Sequence, residues 1–209
     1  MKLEKEDISF IDNYLKKEGI TYSDIRYEMV DHIASAVEEK MEVQQASFYY
    51  AFKAYMAANK SEIIKNNRKY ILLAGYKALS VLFKNFINPV FIFLISLFFL
   101  LFYSLAAVFP DFDYQSTFQI SHFIVTILLG GTFLYKQFSG KERFSVADKM
   151  LGFYCFLNYL PNSLFRVQDK IASLNLLFIY YSVTLSFSIV VYLSYREITK
   201  SYKNQYQLQ

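Results

Sequence analysis

Glu28, Asp31 and His32 are the first residues whose types could do chemistry. They stand three and four positions apart on what reads as one helix, so two of them could approach a single cation. A metal site needs three or four ligands, and the other histidine, His122, lies far along the chain at the expected outer end of a membrane span. At about 100° per residue, His32 falls with Ile25, Met29 and Ala36. It is therefore expected half-buried in a core, one ring nitrogen bonded to a carboxylate or carbonyl. Asn158 and Asn162, four apart, are expected to hydrogen-bond between helices, and Cys155 to fill space beside apolar neighbours. Gln119 and His122 are the remaining polar groups expected at membrane depth. Gly130 and Gly131 suit close helix approach. No phosphate loop, nucleophile elbow, zinc-protease or dinucleotide fingerprint occurs in the sequence. No catalytic, cofactor-binding or metal-binding residue is assigned, and the chain is not expected to be an enzyme.

The elements that would position these residues are set by an uneven composition. The chain has 209 residues, 55% hydrophobic, with 22 Phe, 19 Tyr and no Trp. Residues 1–59 hold 7 Lys+Arg against 11 Asp+Glu, net −4, and residues 60–209 hold 15 against 7, net +8. An acidic head is a poor nucleic-acid surface, because phosphate contacts need clustered cations, so no direct nucleic-acid binding is expected. A single cysteine excludes an internal disulfide. The charged N-terminus lacks a signal-peptide pattern, so the first membrane helix is expected to act as the targeting signal.

Four stretches lack charge: 85–110, 114–135, 150–165 and 171–195, of 26, 22, 16 and 25 residues. A bilayer core takes about 20 apolar residues of helix. The third is short and carries Asn158, Pro161 and Asn162, which also suits a re-entrant segment. Charge favours a crossing, since cytoplasmic flanks collect Lys and Arg. Lys60, Lys65, Arg68, Lys69, Lys77 and Lys84 precede the first stretch; Lys136, Lys141, Arg143 and Lys149 follow the second; Arg196, Lys200 and Lys203 follow the fourth. With four spans, 13 basic residues lie inside and only Arg166 and Lys170 outside. The expected location is the inner (cytoplasmic) membrane, multi-pass, both termini cytoplasmic.

The head, 1–59, reads as three helices. Ile8, Ile11 and Leu15 mark the first, stopped by Gly19. Ile25, Met29, Ile33, Ala36 and Val37 mark the second, capped by Thr21 or Ser23, with Asp24 in its first turn. Phe48, Ala51, Phe52 and Tyr55 mark the third, capped by Ser47. Residues 60–87 read as a basic amphipathic linker, with Gly75 as a bend. Its Lys65, Arg68, Lys69, Lys77 and Lys84 are expected on lipid headgroups. Residues 88–197 form the span domain and 198–209 a cytoplasmic tail. The expected fold is all-α: a three-helix cytoplasmic bundle plus a four-helix transmembrane domain.

Residues 11–38 resemble the HAAS domain, a helical signalling module associated with helix-turn-helix regulators. The positions carrying the resemblance are Tyr14, Leu15, Ile25, Glu28, Met29, Asp31, His32, Ile33 and Glu38. The resemblance covers about the first 60 residues. It implies a membrane-embedded partner of a PadR-like transcriptional regulator, often in envelope-stress control, and no defined chemistry.

These readings converge on a regulatory membrane protein with lipid and a cytoplasmic protein as partners, and room for a homo-oligomer. The expected docking face is Glu28, Asp31, Glu38, Glu39 and Glu42 on the second helix. A transporter subunit is the alternative class; an enzyme acting on lipids has the least support.

Overall fold

The computed structural model describes residues 2–139 and 142–207, and every regular element among them is helical. Seven α-helices follow in order: α1 (Lys5–Lys17), α2 (Ser23–Gln44), α3 (Phe48–Phe86), α4 (Pro89–Val108), α5 (Tyr114–Phe138), α6 (Ser145–Tyr159) and α7 (Leu174–Gln207). A π turn (Leu160–Leu164) and a 3-10 turn (Val167–Lys170) lie between α6 and α7. Of the positions assigned above, Lys141 and the ends of the 1–59 and 198–209 segments lie outside the described residues, as does the side chain of Lys136.

The chain divides into two compact units. A head unit takes Met1–Gly75, Glu142–Ser145 and Tyr202–Gln209; an apolar unit takes Tyr76–Lys141 and Val146–Ser201. The expected break between a third head helix and a linker at 59/60 is absent. Both belong to α3, one helix of 39 residues. Gly75 sits within it without a break in the helix, since one glycine costs a long helix only about 1 kcal/mol.

In the head, α1 begins on a capping box, with Glu4 and Asp7 each accepting the other's backbone N–H. It ends as expected at Gly19, whose φ of +88 is a conformation glycine adopts without strain. Ile11 and Leu15 are buried, but Ile8 is exposed, so the first helix buries a narrower stripe than its spacing suggests. They meet Ile25, Met29, Ile33, Val37 and Met41 of α2 and Ala51, Phe52 and Met56 of α3 in one core. Tyr14, Phe48 and Tyr55 pack at its edge. Arg26, almost fully buried, is neutralised by Asp12 and donates to the Ile20 carbonyl at 3.2 Å. A buried guanidinium needs such partners.

The N-cap of α2 is Tyr22, with no side-chain cap bond, rather than Thr21 or Ser23. Ser23 is buried and its N–H donates to the Arg143 carbonyl at 2.8 Å. Asp24, also buried, accepts the Ser145 N–H at 3.0 Å and the Ser145 hydroxyl at 2.6 Å. A carboxylate from α2 thereby satisfies donors at the first residue of α6.

In the apolar unit, Phe102 of α4, Phe118 of α5, and Phe178 and Tyr181 of α7 form an aromatic core, with ring centroids 4.5 Å apart for Phe102–Phe118 and for Phe118–Tyr181. α7 buries Ser182, Ser186 and Ser188. Ser182 and Ser188 bond carbonyls four residues back, and Ser188 also pairs with the Tyr154 hydroxyl of α6. Such small polar residues let helices approach closely.

Among the described residues two helices are long and apolar enough to cross a membrane: α4, with mean hydropathy 2.6, and the Leu174–Gln205 part of α7, with mean hydropathy 2.0. Phe93, Leu97, Leu100 and Leu101 of α4 are all exposed, a pattern that suits lipid and not water. α5 has 25 residues, but Gln115, Gln119 and His122 dilute its first half. α6 has 15 residues, about 22 Å of helix, and starts with Asp148 and Lys149 among them. It changes to π geometry at Pro161, whose ring displaces the carbonyl four residues back.

Candidate functional site

The expected docking face lies on α2. Measured round the helix at 100° per residue, Glu28, Asp31, Glu38, Glu39 and Glu42 share a sector of about 100°. The buried Met29, Ile33, Val37 and Met41 occupy the opposite side. The five carboxylates are not equivalent. Glu38 accepts the Leu3 N–H at 2.9 Å and so ties down the N-terminal segment. Glu28 is hydrogen-bonded to the Tyr70 hydroxyl of α3; burial and that carboxylate push the tyrosine up. Asp31, Glu39 and Glu42 are exposed, and Glu42 is engaged too, a hydrogen bond holding its carboxyl below the usual glutamate range.

His32 is exposed as well, which corrects the expectation of a half-buried ring. The buried arc of α2 is centred near Ile33 and Val37, and His32 stands about 100° away from that centre. It rims a shallow hollow with Met29, Tyr55, Asn59, Glu62 and Tyr70. The other motif positions sit where expected: Leu15, Ile25, Met29 and Ile33 are buried and Tyr14 is partly so. Among the described residues no three His, Cys, Asp or Glu side chains gather to hold a metal ion.

The five linker cations, Lys65, Arg68, Lys69, Lys77 and Lys84, are exposed on α3. They share its outward side with Leu72, Leu73, Tyr76 and Phe83, also exposed.

The apolar unit holds a second constellation. A cavity of about 740 Å³ is lined by α5, α6, the turns after α6 and α7. Its long wall is Ile120, Phe123, Ile127, Gly130, Cys155 and Phe156. A Cβ on Gly130 would make an ordinary contact with Cys155 Sγ at 3.4 Å and one on Gly131 would meet nothing, so the expected close helix approach does not depend on either glycine. The other end is polar: Gln119, His122, Asn158, Asn162, Arg166, Gln168 and Tyr181. Asp169 organises that end, taking Gln119 Nε2 at 2.9 Å and Arg166 Nε at 3.0 Å. Asn162 makes the expected interhelical bond, accepting the Tyr180 hydroxyl of α7 at 2.7 Å. Asn158 instead donates to the Tyr154 carbonyl of its own helix. Four polar atoms of the described lining residues are buried without a protein partner: His122 Nδ1, Thr126 Oγ1, Gln168 Oε1 and the Tyr181 hydroxyl.

Sequence spacing pointed to His122, Gln119 and the two asparagines but missed Gln168, Asp169 and Tyr181. Gln168 and Asp169 sit in a short polar turn that reads as a loop, and Tyr181 is one of 19 tyrosines with no distinguishing pattern. No family model, no curated protein and no solved structure matches this chain.

Proposed function

We propose that the chain is an integral membrane regulatory protein, crossing the bilayer four times with both ends inside. Its helical head docks a basic cytoplasmic protein through the outer face of α2. The observation that carries this reading is the one-sided placement of Asp31 and Glu39, exposed opposite the core stripe of the same helix. Carboxylates on a rigid helix steer a cationic partner and fix its register. The exposed apolar length of α4 supports a membrane anchor. The resemblance of residues 11–38 to the HAAS domain suggests a PadR-like regulator as that partner.

Affinity capture with the full chain in native membranes tests the reading. A DNA-binding regulator should be recovered with the wild type and lost with Asp31→Lys and Glu39→Lys. These two positions are the proper ones, because Glu38 also holds Leu3. Recovery of the same regulator with both reversals in a folded head sinks acidic-face docking.

One observation favours a second class. The π turn and the irregular stretch after α6 interrupt a helix beside a polar-ended cavity, as in many transporter subunits. Capture of an ATPase in place of a regulator would select that alternative.

A further inference from the structure

We infer that the cavity of the apolar unit binds an amphiphile taken up sideways from the bilayer, with an uncharged, hydroxyl-bearing head and an aliphatic chain. The inference goes beyond head docking and stands without it.

The polar end fixes the head. His122, Gln168 and Tyr181 all line the cavity, are 5%, 5% and 1% exposed, and each carries a buried polar atom with no protein partner. Leaving three such atoms buried and unpaired is costly, which makes them a demand for a ligand. Gln168 Nε2 donates to the Asn162 carbonyl at 3.0 Å, so its unpaired atom is the amide oxygen. That oxygen only accepts, so the head must donate a hydrogen bond. The Tyr181 hydroxyl and His122 Nδ1 can each donate or accept, so the head must offer both roles. A hydroxyl, or two on neighbouring carbons, does both. Charge is disfavoured. Arg166, the one formal cation in the lining, is already paired with Asp169. An anion would have to compete with Asp169 for that guanidinium and would meet the repulsion of the Asp169 carboxylate.

The apolar wall fixes the rest. Ile120, Phe123, Ile127 and Phe156 line the cavity, yet each remains more than half exposed on the outer surface of the unit. The mouth therefore opens through apolar side chains, and a ligand entering there is lipid-soluble. A volume of 740 Å³ lies within the range of small-molecule sites. It accommodates a head and a length of chain. A neutral glycerolipid has this chemistry.

The test uses the full chain in phosphatidylcholine nanodiscs doped with a diazirine-tagged diacylglycerol. Photolabelling is expected on peptides containing Phe123 and Phe156, displaced by untagged diacylglycerol and not by phosphatidylglycerol at equal mole fraction. Tyr181→Phe and Gln168→Leu should each reduce labelling about five- to tenfold, the effect of one lost hydrogen bond or slightly more. Ile120→Trp at the mouth should reduce it with the polar end intact. Tyr181→Phe removes a hydroxyl with no protein partner, so it should leave thermal stability in undoped discs unchanged. Label spread evenly over the apolar surface overturns the site. So does labelling unaffected by all three substitutions. Equal displacement by phosphatidylglycerol overturns the uncharged head.

Discussion

Replacing Asp24 by alanine removes, in one step, the acceptor of the Ser145 N–H and of the Ser145 hydroxyl, all in a buried setting. Hydrogen bonds to a charged group are worth about 1.5–3 kcal/mol each but are not additive, so Asp24→Ala should destabilise the chain by about 3 kcal/mol. His32→Ala provides the contrast. The ring is exposed, so the change should stay within about 0.5 kcal/mol. Denaturation of the full protein in detergent checks both, and a large loss for His32→Ala would contradict its position. At this scale sequence reading separated core from surface well where periodicity applies, as for Leu15, Met29 and Ile33. It placed Asp24 in the first turn of α2, where it lies, but gave no sign of its burial, because the partner stands 121 positions away and nothing local announces it. It failed for His32 because an apolar stripe drawn through Ile25 and Ala36 was centred too far round the helix. A second pair behaves differently. Lys60 donates to Glu18 at 2.7 Å, and this bond holds the Glu18 carboxyl below the usual glutamate range and Lys60 above the usual lysine range. Glu18 thus adds stability above its unfolded pKa and loses it as pH falls through the lowered one. Lys60 adds stability below its unfolded pKa and loses it as pH rises through the raised one. The stability difference between wild type and Glu18→Gln should therefore be full near neutrality and vanish at acid pH; an unchanged difference at acid pH would remove the pair from the account.

At the scale of elements, α3 was the least legible. Its sequence reads as a head helix followed by a basic linker, because cations accumulate after residue 60 and Leu72, Leu73 and Phe83 face outward, while Ile63, Tyr70 and Ile71 still pack on the head core. A change in composition of the outer side looks like a boundary, although the backbone continues through it. The break after α6 was partly legible: Pro161 marked an irregularity, but a π turn depends on how the freed carbonyls find partners, which sequence does not specify. The outward cations of α3 carry a prediction of their own. A peptide of residues 61–86 should gain helicity on anionic vesicles and leave them in high salt, since each cation near such a surface contributes about 1 kcal/mol. The exposed leucines and phenylalanine give a residual, salt-resistant part. Binding of equal strength to neutral vesicles at every salt concentration would leave only that apolar part and remove the electrostatic one.

For the whole molecule the deciding quantity is the distribution of charge about the spans. α4 and the apolar length of α7 meet the requirement for crossing, while α5 and α6 fall short in apolarity or length. Lipid need not solvate every face of the weaker pair. Tyr154 and Asn158 of α6 are buried, and Leu129, Phe118 and His122 of α5 are buried, so much of their polarity faces protein. Helices so shielded can cross with fewer apolar residues than an isolated span requires. The basic residues then arbitrate. Three crossings would send Arg196, Lys200 and Lys203 to the outside, against the preference of Lys and Arg for the cytoplasmic face; four return them inside. The prediction is that a reporter fused after Gln209 reads as cytoplasmic and one inserted in the PDFD loop, residues 110–113, reads as external. Moving the balance should move the result. Substituting Arg196, Lys200 and Lys203 by glutamine weakens the inside preference of that end and should raise the fraction of molecules with an external tail. A tail that reads external in the unaltered chain would require an odd number of crossings, and a cytoplasmic PDFD loop would take α4 out of the count; either result overturns the four-span arrangement.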